Sequence, residues 1–268
     1  MKDNGRILAF GAHPDDAEFM VSGTLALLRD KGYEITIATM SDGDCGSMEL
    51  GNAAIAKVRR KEAEAAAAVL GARYTCAGEH DLAIDYDTAT RRKATGVVRQ
   101  ADPFLVFTHS PIDYMVDHMV TAALVRDALF CAPMPNFKAG RTKSTTGGIP
   151  YLYFCDPLEG TDHFGNDIPP DFYVDITSKL DIKKEMLACH KSQRDWLLKQ
   201  HGMDQYINTM VDWAAKRGRE IGRKYAEGFR QHLGHAYPHD NVLKDLVGMV
   251  WTVGKRAGAR VVRAKRAK

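Results

Sequence analysis

Apolar and polar positions along the chain fall into two kinds of block that follow one another in turn. Short apolar or β-branched runs bounded by Gly, Pro or Asp predict strands, and longer runs with charges along one side predict helices. The predicted strands span residues 7–10, 34–40, 73–76, 104–108, 151–155 and 172–176. The predicted helices span residues 16–30, 53–70, 87–100, 119–129, 178–200, 204–223 and 242–253.

Strand and helix alternate over the first half of the chain, which predicts a doubly wound, mostly parallel, Rossmann-like α/β sheet. Helices and long loops after the fourth strand predict a C-terminal elaboration of this core. In the common strand order 3-2-1-4, the first and fourth strands are neighbours, so the loops that follow them should face each other. We expect one domain over residues 1–250 and a basic tail over residues 251–268.

A compact polar turn follows the first predicted strand. The apolar run that ends at Ala12 gives way to His-Pro-Asp-Asp at residues 13–16, and the proline cannot continue the strand. At the carboxyl edge of an open sheet, His13 and Asp16 are suitable ligands for a divalent metal, and Asp15 is left to act as a base. The alternative is a polar turn in which one aspartate caps the next helix, which would need no histidine.

The loop after the fourth predicted strand also contains ligand-type side chains. Residues 109–118 hold two histidines and two aspartates, and His118 begins an apolar helical run. Because this loop should face the turn at residues 13–16, His118 would complete a metal-binding set with His13 and Asp16. A lone histidine is more often a hydrogen-bonded core residue, but here separate loops supply the ligands. The same donor set also serves iron(II) oxygenases, which usually have other folds.

Composition narrows the class of protein. The chain has 268 residues, 45% of them hydrophobic and 26% charged, enough for a substantial core. A net charge of +3 is too small to indicate nucleic-acid binding. The five cysteines are scattered without a C-x-x-C pair, which indicates a reducing compartment. No apolar run is long enough for a signal-peptide core or a membrane span, so we expect a cytoplasmic protein.

Several short motifs occur in order along the chain. They are AHPDD at residues 12–16, RRKE at 59–62 with LG at 70–71, MVDH at 115–118, DIT at 175–177, SQ at 192–193 and AEGF at 226–229. Together they resemble the motifs of the PIG-L/LmbE-like de-N-acetylases, which are zinc amidohydrolases that act on N-acetylglucosamine conjugates. The resemblance covers most of the chain.

The resemblance implies roles for the residues of the first two loops. His13, Asp16 and His118 would bind Zn²⁺, or another divalent metal, and Asp15 would be the general base. The implied partner is a small-molecule N-acetylated amino-sugar conjugate, with no nucleic acid and no membrane span. The family likeness also suggests a homo-oligomer.

Substrate contacts are indicated less directly. The resemblance implies that Arg59 contacts the substrate, whereas its spacing from Glu62 alone predicts a surface ion pair. The irregular segments 133–150 and 159–170 are expected to shape the substrate site. His163, in the second of them, is a candidate for binding substrate or for stabilising the oxyanion.

The second histidine motif departs from the family pattern H-P-D-H. Its first histidine, which the resemblance implies beside the developing oxyanion, is Met115 here, and methionine cannot donate a hydrogen bond or carry a proton. His109 and Tyr114 are catalytic candidates to take its place. Asp117 would then fix the adjacent metal ligand, and Asp113 is a candidate for binding substrate.

These expectations combine into a hydrolase in which metal-activated water, deprotonated by Asp15, attacks an acetyl carbonyl. One alternative is an amidase that acts on a thiol or sugar conjugate. Another is a binding protein that holds a metal without chemistry, and Met115 keeps this alternative open.

Overall fold

The computed structural model describes residues 3–145, 147–201, 205–248 and 250–252. The strands in these ranges are β1 (Arg6–Gly11), β2 (Glu34–Ser41), β3 (Arg73–Glu79), β4 (Leu105–Thr108), β5 (Tyr151–Cys155), β6 (Phe172–Asp175), β7 (Ala226–Gln231) and β8 (Val250–Thr252). The α-helices are α1 (Asp16–Met20), α2 (Ser22–Asp30), α3 (Asn52–Leu70), α4 (Thr88–Ala101), α5 (Val116–Cys131), α6 (Leu180–Ala188), α7 (Lys191–His201), α8 (Tyr206–Glu220) and α9 (Val242–Val247).

The described strands form one sheet in the order β3-β2-β1-β4-β5-β7-β6-β8. The first five strands in this order pair in parallel, and the remaining pairs are antiparallel. Helices connect the parallel strands, as right-handed crossovers require. The predicted α/β fold class and the predicted order of the first four strands are confirmed.

Side chains from the centre of the sheet enter two hydrophobic layers. Ile7 and Ala9 pack into the layer that contains residues of α2, α6 and α8, whereas Leu8 and Phe10 pack into the layer of α4 and α5. Successive side chains of a strand point to opposite faces, so a strand covered on both faces is apolar throughout. This explains why β1 reads as a continuous apolar run that ends abruptly at the polar turn.

Residues 16–30, predicted as one helix, form α1 and α2 with Val21 between them at φ −140°. Glu227 of β7 accepts hydrogen bonds from the backbone N–H groups of Gly23 (2.9 Å) and Thr24 (2.8 Å). A carboxylate from a distant strand therefore accepts hydrogen bonds from N-terminal N–H groups of α2, so that α2 can begin as a helix separate from α1.

Residues 178–200, also predicted as one helix, contain the separate helices α6 and α7. Glu62 of α3 accepts hydrogen bonds from the Ser192 backbone N–H (2.9 Å) and the Ser192 hydroxyl (2.6 Å). The start of α7 is thus held by a side chain of α3, and the chain turns at residues 189–190.

Strand β7 is not among the predicted strands, because the central Gly228 interrupts the pattern over residues 226–231. A Cβ atom at this position would lie 2.4 Å from Pro170 Cγ, so the glycine allows close packing within the sheet. The neighbouring Glu227 is buried and forms a 2.6 Å ion pair with Lys183. Burial of a paired carboxylate in this strand removes the alternation of apolar and polar residues on which the prediction depends.

The last predicted helix, over residues 242–253, is also shorter than expected. Its first part is α9, and residues 250–252 form β8 at the edge of the sheet. The basic tail beyond residue 252 lies outside the described residues, and the domain boundary at residue 250 stays a prediction. Within the described ranges, no helix is both long enough and apolar enough to span a bilayer.

Candidate active site

The turn after β1 folds Asp16 back onto the backbone. Its Oδ2 atom accepts hydrogen bonds from the backbone N–H groups of Ala12 (2.8 Å) and His13 (2.7 Å). A Cβ atom on Gly11 would lie 2.8 Å from Asp16 Cβ, so this approach needs glycine. Asp15 has a φ of 106°, a strained value for a residue other than glycine, and its side chain makes no capping hydrogen bond to α1. The capping alternative is therefore wrong for Asp15.

Strands β1 and β4 are neighbours, so the turn after β1 faces the loop after β4. His118, in the first turn of α5, places its Nε2 atom 3.5 Å from Asp16 Oδ1. Its Nδ1 atom lies 3.0 Å from Asp113 Oδ1, a contact that orients the ring. Burial alone would lower the pKa of His118, but the neighbouring Asp16 and Asp113 carboxylates raise it.

His13 is anchored through one ring nitrogen. Its Nε2 atom lies 3.0 Å from Asp117 Oδ2 and 3.1 Å from Asp81 Oδ1. Burial favours the neutral ring, but these carboxylates and Asp16 outweigh it and raise the pKa of His13 to about 10. The Nδ1 atom lies 3.7 Å from Asp16 Oδ2, and ligand-type atoms of His13, Asp16 and His118 lie within 4.8 Å of one another.

Among the described residues, three groups have ligand-type atoms within 4.8 Å of one another. They are His13, Asp16 and His118; His109, Asp113 and His118; and His13, Asp81 and Asp117. The first group keeps 6%, 9% and 7% of its surface exposed, whereas His109 and Asp113 keep 0% and 1%. A catalytic metal needs a position open to substrate, and each member of the first group also has a second atom held by a neighbour. The third group supplies a single imidazole, and its carboxylates already contact His13 Nε2. The first group therefore fits a catalytic metal best.

His109 supports Asp16 from the floor of the site. Its Nε2 atom lies 2.8 Å from Asp16 Oδ2 and 3.0 Å from the backbone nitrogen of Ala12, and its ring stacks on His118 with centroids 4.0 Å apart. Burial lowers the pKa of His109, so the ring is neutral. Burial alone would raise the pKa of Asp16, but His109 and His118 hold it well below its ordinary value. Asp16 is therefore ionised and ready to bind a cation.

The carboxylate of Asp15 is held from two sides. The Tyr206 hydroxyl donates a 2.5 Å hydrogen bond to Asp15 Oδ2, and Arg59 Nη2 lies 3.6 Å from Asp15 Oδ1. Burial raises the pKa of Asp15, although the charge of Arg59 opposes the shift. A raised pKa suits a carboxylate that must accept a proton and return it near neutral pH.

Arg59 and Glu62 do not form the predicted surface ion pair. Arg59 is buried, donates a 2.7 Å hydrogen bond to the Pro14 carbonyl and lies 3.8 Å from Asp81 Oδ2. Glu62 binds the start of α7 at Ser192 instead. The prediction was wrong because α3 packs against the site on one side and α7 on the other, so each side chain has a different partner.

The two aspartates of the loop after β4 differ from expectation. Asp113, predicted to bind substrate, is buried and holds His118 Nδ1. Asp117, predicted to fix His118, contacts His13 and accepts a 2.9 Å hydrogen bond from the Leu82 N–H. Adjacent residues of a helix point about 100° apart, so Asp117 cannot easily serve its own neighbour.

The remaining candidates lie in different places. Tyr114 lines the cavity and packs edge-on against His118, with centroids 5.5 Å apart. His163 is exposed, packs against Phe164, and is not among the described residues that line the cavity. Its segment is closed on itself by a β-bridge between Thr161 and Asp167. The structure therefore keeps Tyr114 at the site and gives His163 no contact there.

A cavity of about 1050 Å³ opens above these side chains. Its wall comes from the loops after β1 to β5, from α1, α7 and α8, and from Arg59 of α3. Segment 133–150, predicted to shape the substrate site, contributes no described residue to the wall. This segment follows the C-terminus of α5, whereas the N-terminus of α5 carries His118 at the site. The length of α5 therefore separates segment 133–150 from the cavity. Of the described residues in 159–170, Glu159 alone lines the cavity.

Sequence reasoning missed Asp81 and Tyr206. Asp81 follows β3, at the same edge of the sheet as the other loops, so the rule that located the first two loops could have found it. Tyr206 arrives from α8, and nothing in the local pattern around it indicates a contact with Asp15.

Comparisons with known proteins agree with this arrangement. The family model described as PIG-L, GlcNAc-PI de-N-acetylase, matches residues 8–129. The predicted family resemblance is confirmed. The matched part of the chain runs from β1 to α5 and so contains the turn at residues 13–16 and the loop that ends at His118.

The relatives include enzymes of two kinds. The chain is 28% identical over 239 residues to the 4-oxalmesaconate hydratase of Pseudomonas putida, with 83% of this chain and 87% of the hydratase covered. It is 26% identical over 247 residues to the diacetylchitobiose deacetylase of Thermococcus kodakarensis, with 85% and 83% covered. The structure of N,N'-diacetylchitobiose deacetylase from Pyrococcus horikoshii matches with a TM-score of 0.70 at 26% identity, and 88% of each chain is covered. The chain thus resembles both deacetylases and a hydratase.

Proposed function

We propose that this chain is a metal-dependent hydrolase that removes the N-acetyl group from an amino-sugar conjugate. The observation that carries the proposal is the convergence of ligand atoms from His13, Asp16 and His118 next to the partly buried carboxylate of Asp15. This arrangement combines a metal-binding set that leaves a position open with an adjacent base. Hydrolysis of an amide by water requires both parts.

Zn²⁺ suits this set, because two imidazole nitrogens and one carboxylate oxygen are ordinary zinc ligands. When bound, a divalent metal polarises an amide carbonyl and lowers the pKa of water. Asp113 and Asp117 keep the two rings in position for it through the ring nitrogens that face away.

Asp15 has the role of proton carrier. It accepts a proton from the attacking water and returns it to the amide nitrogen, so that the C–N bond breaks to give an amine and acetic acid. The proton of the acid then passes to the amine, and the products are acetate and a cationic ammonium group. Tyr206 and Arg59 keep the carboxylate in one orientation through the contacts described above. The raised pKa of Asp15, which burial causes, favours acceptance of the proton from water.

Stabilisation of the developing oxyanion differs from the family pattern, because Met115 lacks a donor. His109 is fully buried and its Nε2 atom is already in contact with Asp16 and Ala12, and His163 does not line the cavity. Tyr114 lines the cavity beside His118, and we assign the supporting hydrogen bond to its hydroxyl.

A hydratase is the second candidate, because a hydratase is among the relatives and both reactions add water. The charges of the cavity favour the deacetylase. Arg59 is the single lysine or arginine among the described lining residues, and it already contacts Pro14 and Asp15. The wall also carries the exposed carboxylates of Asp85 and Glu159. A polycarboxylate such as oxalmesaconate would meet like charge there, while the cationic amine of deacetylation would be stabilised.

The test is a screen of N-acetylated amino sugars, free and as thiol or sugar conjugates, scored by amine release with and without a chelator. We expect chelator-sensitive release that falls about 100-fold or more in Asp15→Asn, the usual scale of general-base catalysis. Zinc content should be unchanged in this variant. Asp181→Asn, which alters an exposed carboxylate that does not line the cavity, is the matched control and should keep its activity.

Other outcomes identify the rival functions. Hydration of an unsaturated carboxylic acid without any amine release would support the hydratase. Tight zinc binding without turnover of either substrate class would support a binding protein.

A further inference from the structure

Large apolar side chains lie exposed along the cavity wall, beside the buried polar residues of its floor. Leu82 and Val116 keep 68% and 64% of their surface exposed, and Tyr114, Met115 and Trp196 line the same cavity. Scattered exposed leucines need no explanation. Several large apolar side chains around one concave site are characteristic of a site that binds apolar surface.

The backbone holds Leu82 in this exposed position. Its φ of 61° lies in the left-handed region, which leucine rarely adopts and asparagine tolerates better. Its N–H donates a 2.9 Å hydrogen bond to Asp117 Oδ2, the carboxylate that also contacts His13. The exposed leucine is thus tied directly to the candidate active site, where strained residues most often have a function.

The departure from the family motif adds to the same apolar surface. Met115 and Val116 stand where the PIG-L/LmbE-like pattern has His and Pro, and both line the cavity. Methionine is flexible and polarisable and adapts to irregular apolar partners. The replacement therefore exchanges a hydrogen-bonding group for apolar contact area at the mouth of the site.

The charges of the wall disfavour an anionic substituent. Within the described lining, Arg59 is the one lysine or arginine, and it is buried and donates to the Pro14 carbonyl. Asp85 and Glu159 are exposed acidic side chains on the wall. A phosphate or carboxylate attached to the sugar would meet these carboxylates, and no lysine or arginine of the described wall is free to pair with it.

We propose that the outer cavity is a subsite for an uncharged alkyl or aryl group carried by the N-acetylated amino sugar. This inference rests on the proposed function and names the part of the substrate that the proposed function leaves open. The volume of about 1050 Å³ supports it, because sites for drug-sized ligands measure roughly 300–1,000 Å³ and a single sugar ring fills much less.

The test compares glycosides that differ only in their alkyl chain. The methyl and octyl 2-acetamido-2-deoxy-β-D-glucopyranosides, the latter below its micelle concentration, are given to the zinc-loaded protein, and kcat/KM is obtained from amine release. We expect the octyl glycoside to exceed the methyl glycoside by at least about tenfold. N-acetylglucosamine 1-phosphate should fall below the methyl glycoside because of its charge.

A variant connects this preference to the apolar wall. Leu82→Asn keeps a side chain that tolerates the left-handed backbone but removes the apolar surface. We expect the octyl-to-methyl ratio to fall to about threefold or less. Leu233→Asn makes the same change at a leucine that is 57% exposed and does not line the cavity, and its ratio should equal that of the wild type.

Equal kcat/KM values for the two glycosides, or a higher value for N,N'-diacetylchitobiose than for the octyl glycoside, would overturn the inference. If no glycoside releases amine, the proposed function fails instead. Calorimetric binding to Asp15→Asn then tests the subsite alone. Binding of the octyl glycoside at least about tenfold tighter than the methyl glycoside supports the subsite, and equal dissociation constants refute it.

Discussion

The Tyr206 hydroxyl donates a 2.5 Å hydrogen bond to Asp15 Oδ2, although 191 positions separate the two residues. Tyr206 begins α8, and its ring packs edge-on against Phe19 of α1, with centroids 5.3 Å apart. The C-terminal helices therefore do more than cover the sheet, because one of them sets the orientation of the candidate base.

We expect Tyr206→Phe to lower kcat about tenfold, equivalent to about 1.4 kcal/mol of the activation barrier, because Asp15 loses one of the two contacts that orient it. KM and the affinity for zinc should stay near wild type, since the Tyr206 hydroxyl binds Asp15 and not the proposed ligands His13, Asp16 and His118. Steady-state kinetics and zinc titration of the purified variant measure both quantities.

The matched control is Tyr237→Phe, which removes another buried hydroxyl that donates to the backbone carbonyl of Arg126, away from the cavity. We expect Tyr237→Phe and Tyr206→Phe to lower the free energy of unfolding by similar amounts, because each loses one buried hydrogen bond. Tyr237→Phe should not lower kcat. If both variants lose kcat equally, the effect of Tyr206 is structural and its assigned role is wrong.

Asp113→Ala is expected to weaken zinc binding about 10- to 100-fold, because His118 loses the contact that fixes its ring. Competitive titration with a chromophoric chelator gives the dissociation constant. Asp113→Asn keeps an acceptor for His118 Nδ1 and should recover part of the affinity, which separates orientation of the ring from general damage. Unaltered zinc affinity in Asp113→Ala would show that Asp113 does not orient His118 for zinc binding.

Asp44→Asn should reduce the free energy of unfolding by about 1 kcal/mol at neutral pH. Asp44 Oδ1 accepts a 2.8 Å hydrogen bond from the Asp81 N–H, and its Oδ2 lies 2.8 Å from His80 Nδ1. Burial alone would raise the pKa of Asp44, but these hydrogen bonds lower it. His80 is exposed, so solvent screens that contact and the loss stays modest.

The pH dependence follows from the direction of this shift. A carboxyl group whose pKa falls on folding stabilises the protein above its unfolded pKa, about 3.9, and loses this contribution as pH falls through the folded pKa. The difference between wild type and Asp44→Asn in urea unfolding should therefore be full at about pH 7 and shrink below about pH 4. Asp181→Asn, at an exposed position of α6, is the control. A difference that does not change with pH would contradict the assignment.

The sheet order and the position of the site were predictable because both depend on local patterns. Strand β1 is apolar throughout because both its faces are covered, and Pro14 and the aspartates end it sharply. Parallel strands with helical crossovers then place the loops after β1 and β4 side by side, which brings His118 next to Asp16.

The contacts that were not predicted come from partners far away in the sequence. Glu227 divides the first predicted helix in two, and its own strand β7 contains a glycine that packing against Pro170 requires. Arg59 has no signal in its helix to distinguish a buried contact with Asp15 from a surface ion pair. Such choices depend on which side chains the finished fold brings together.

The central claim is that one divalent cation binds between the loops after β1 and β4. Anomalous diffraction from zinc-loaded crystals, recorded on both sides of the zinc absorption edge, tests it most directly. The account predicts a peak about 2.0–2.2 Å from ligand atoms of His13, Asp16 and His118. A peak among His109, Asp113 and His118 instead, or no peak in this cavity at full zinc loading, would contradict it.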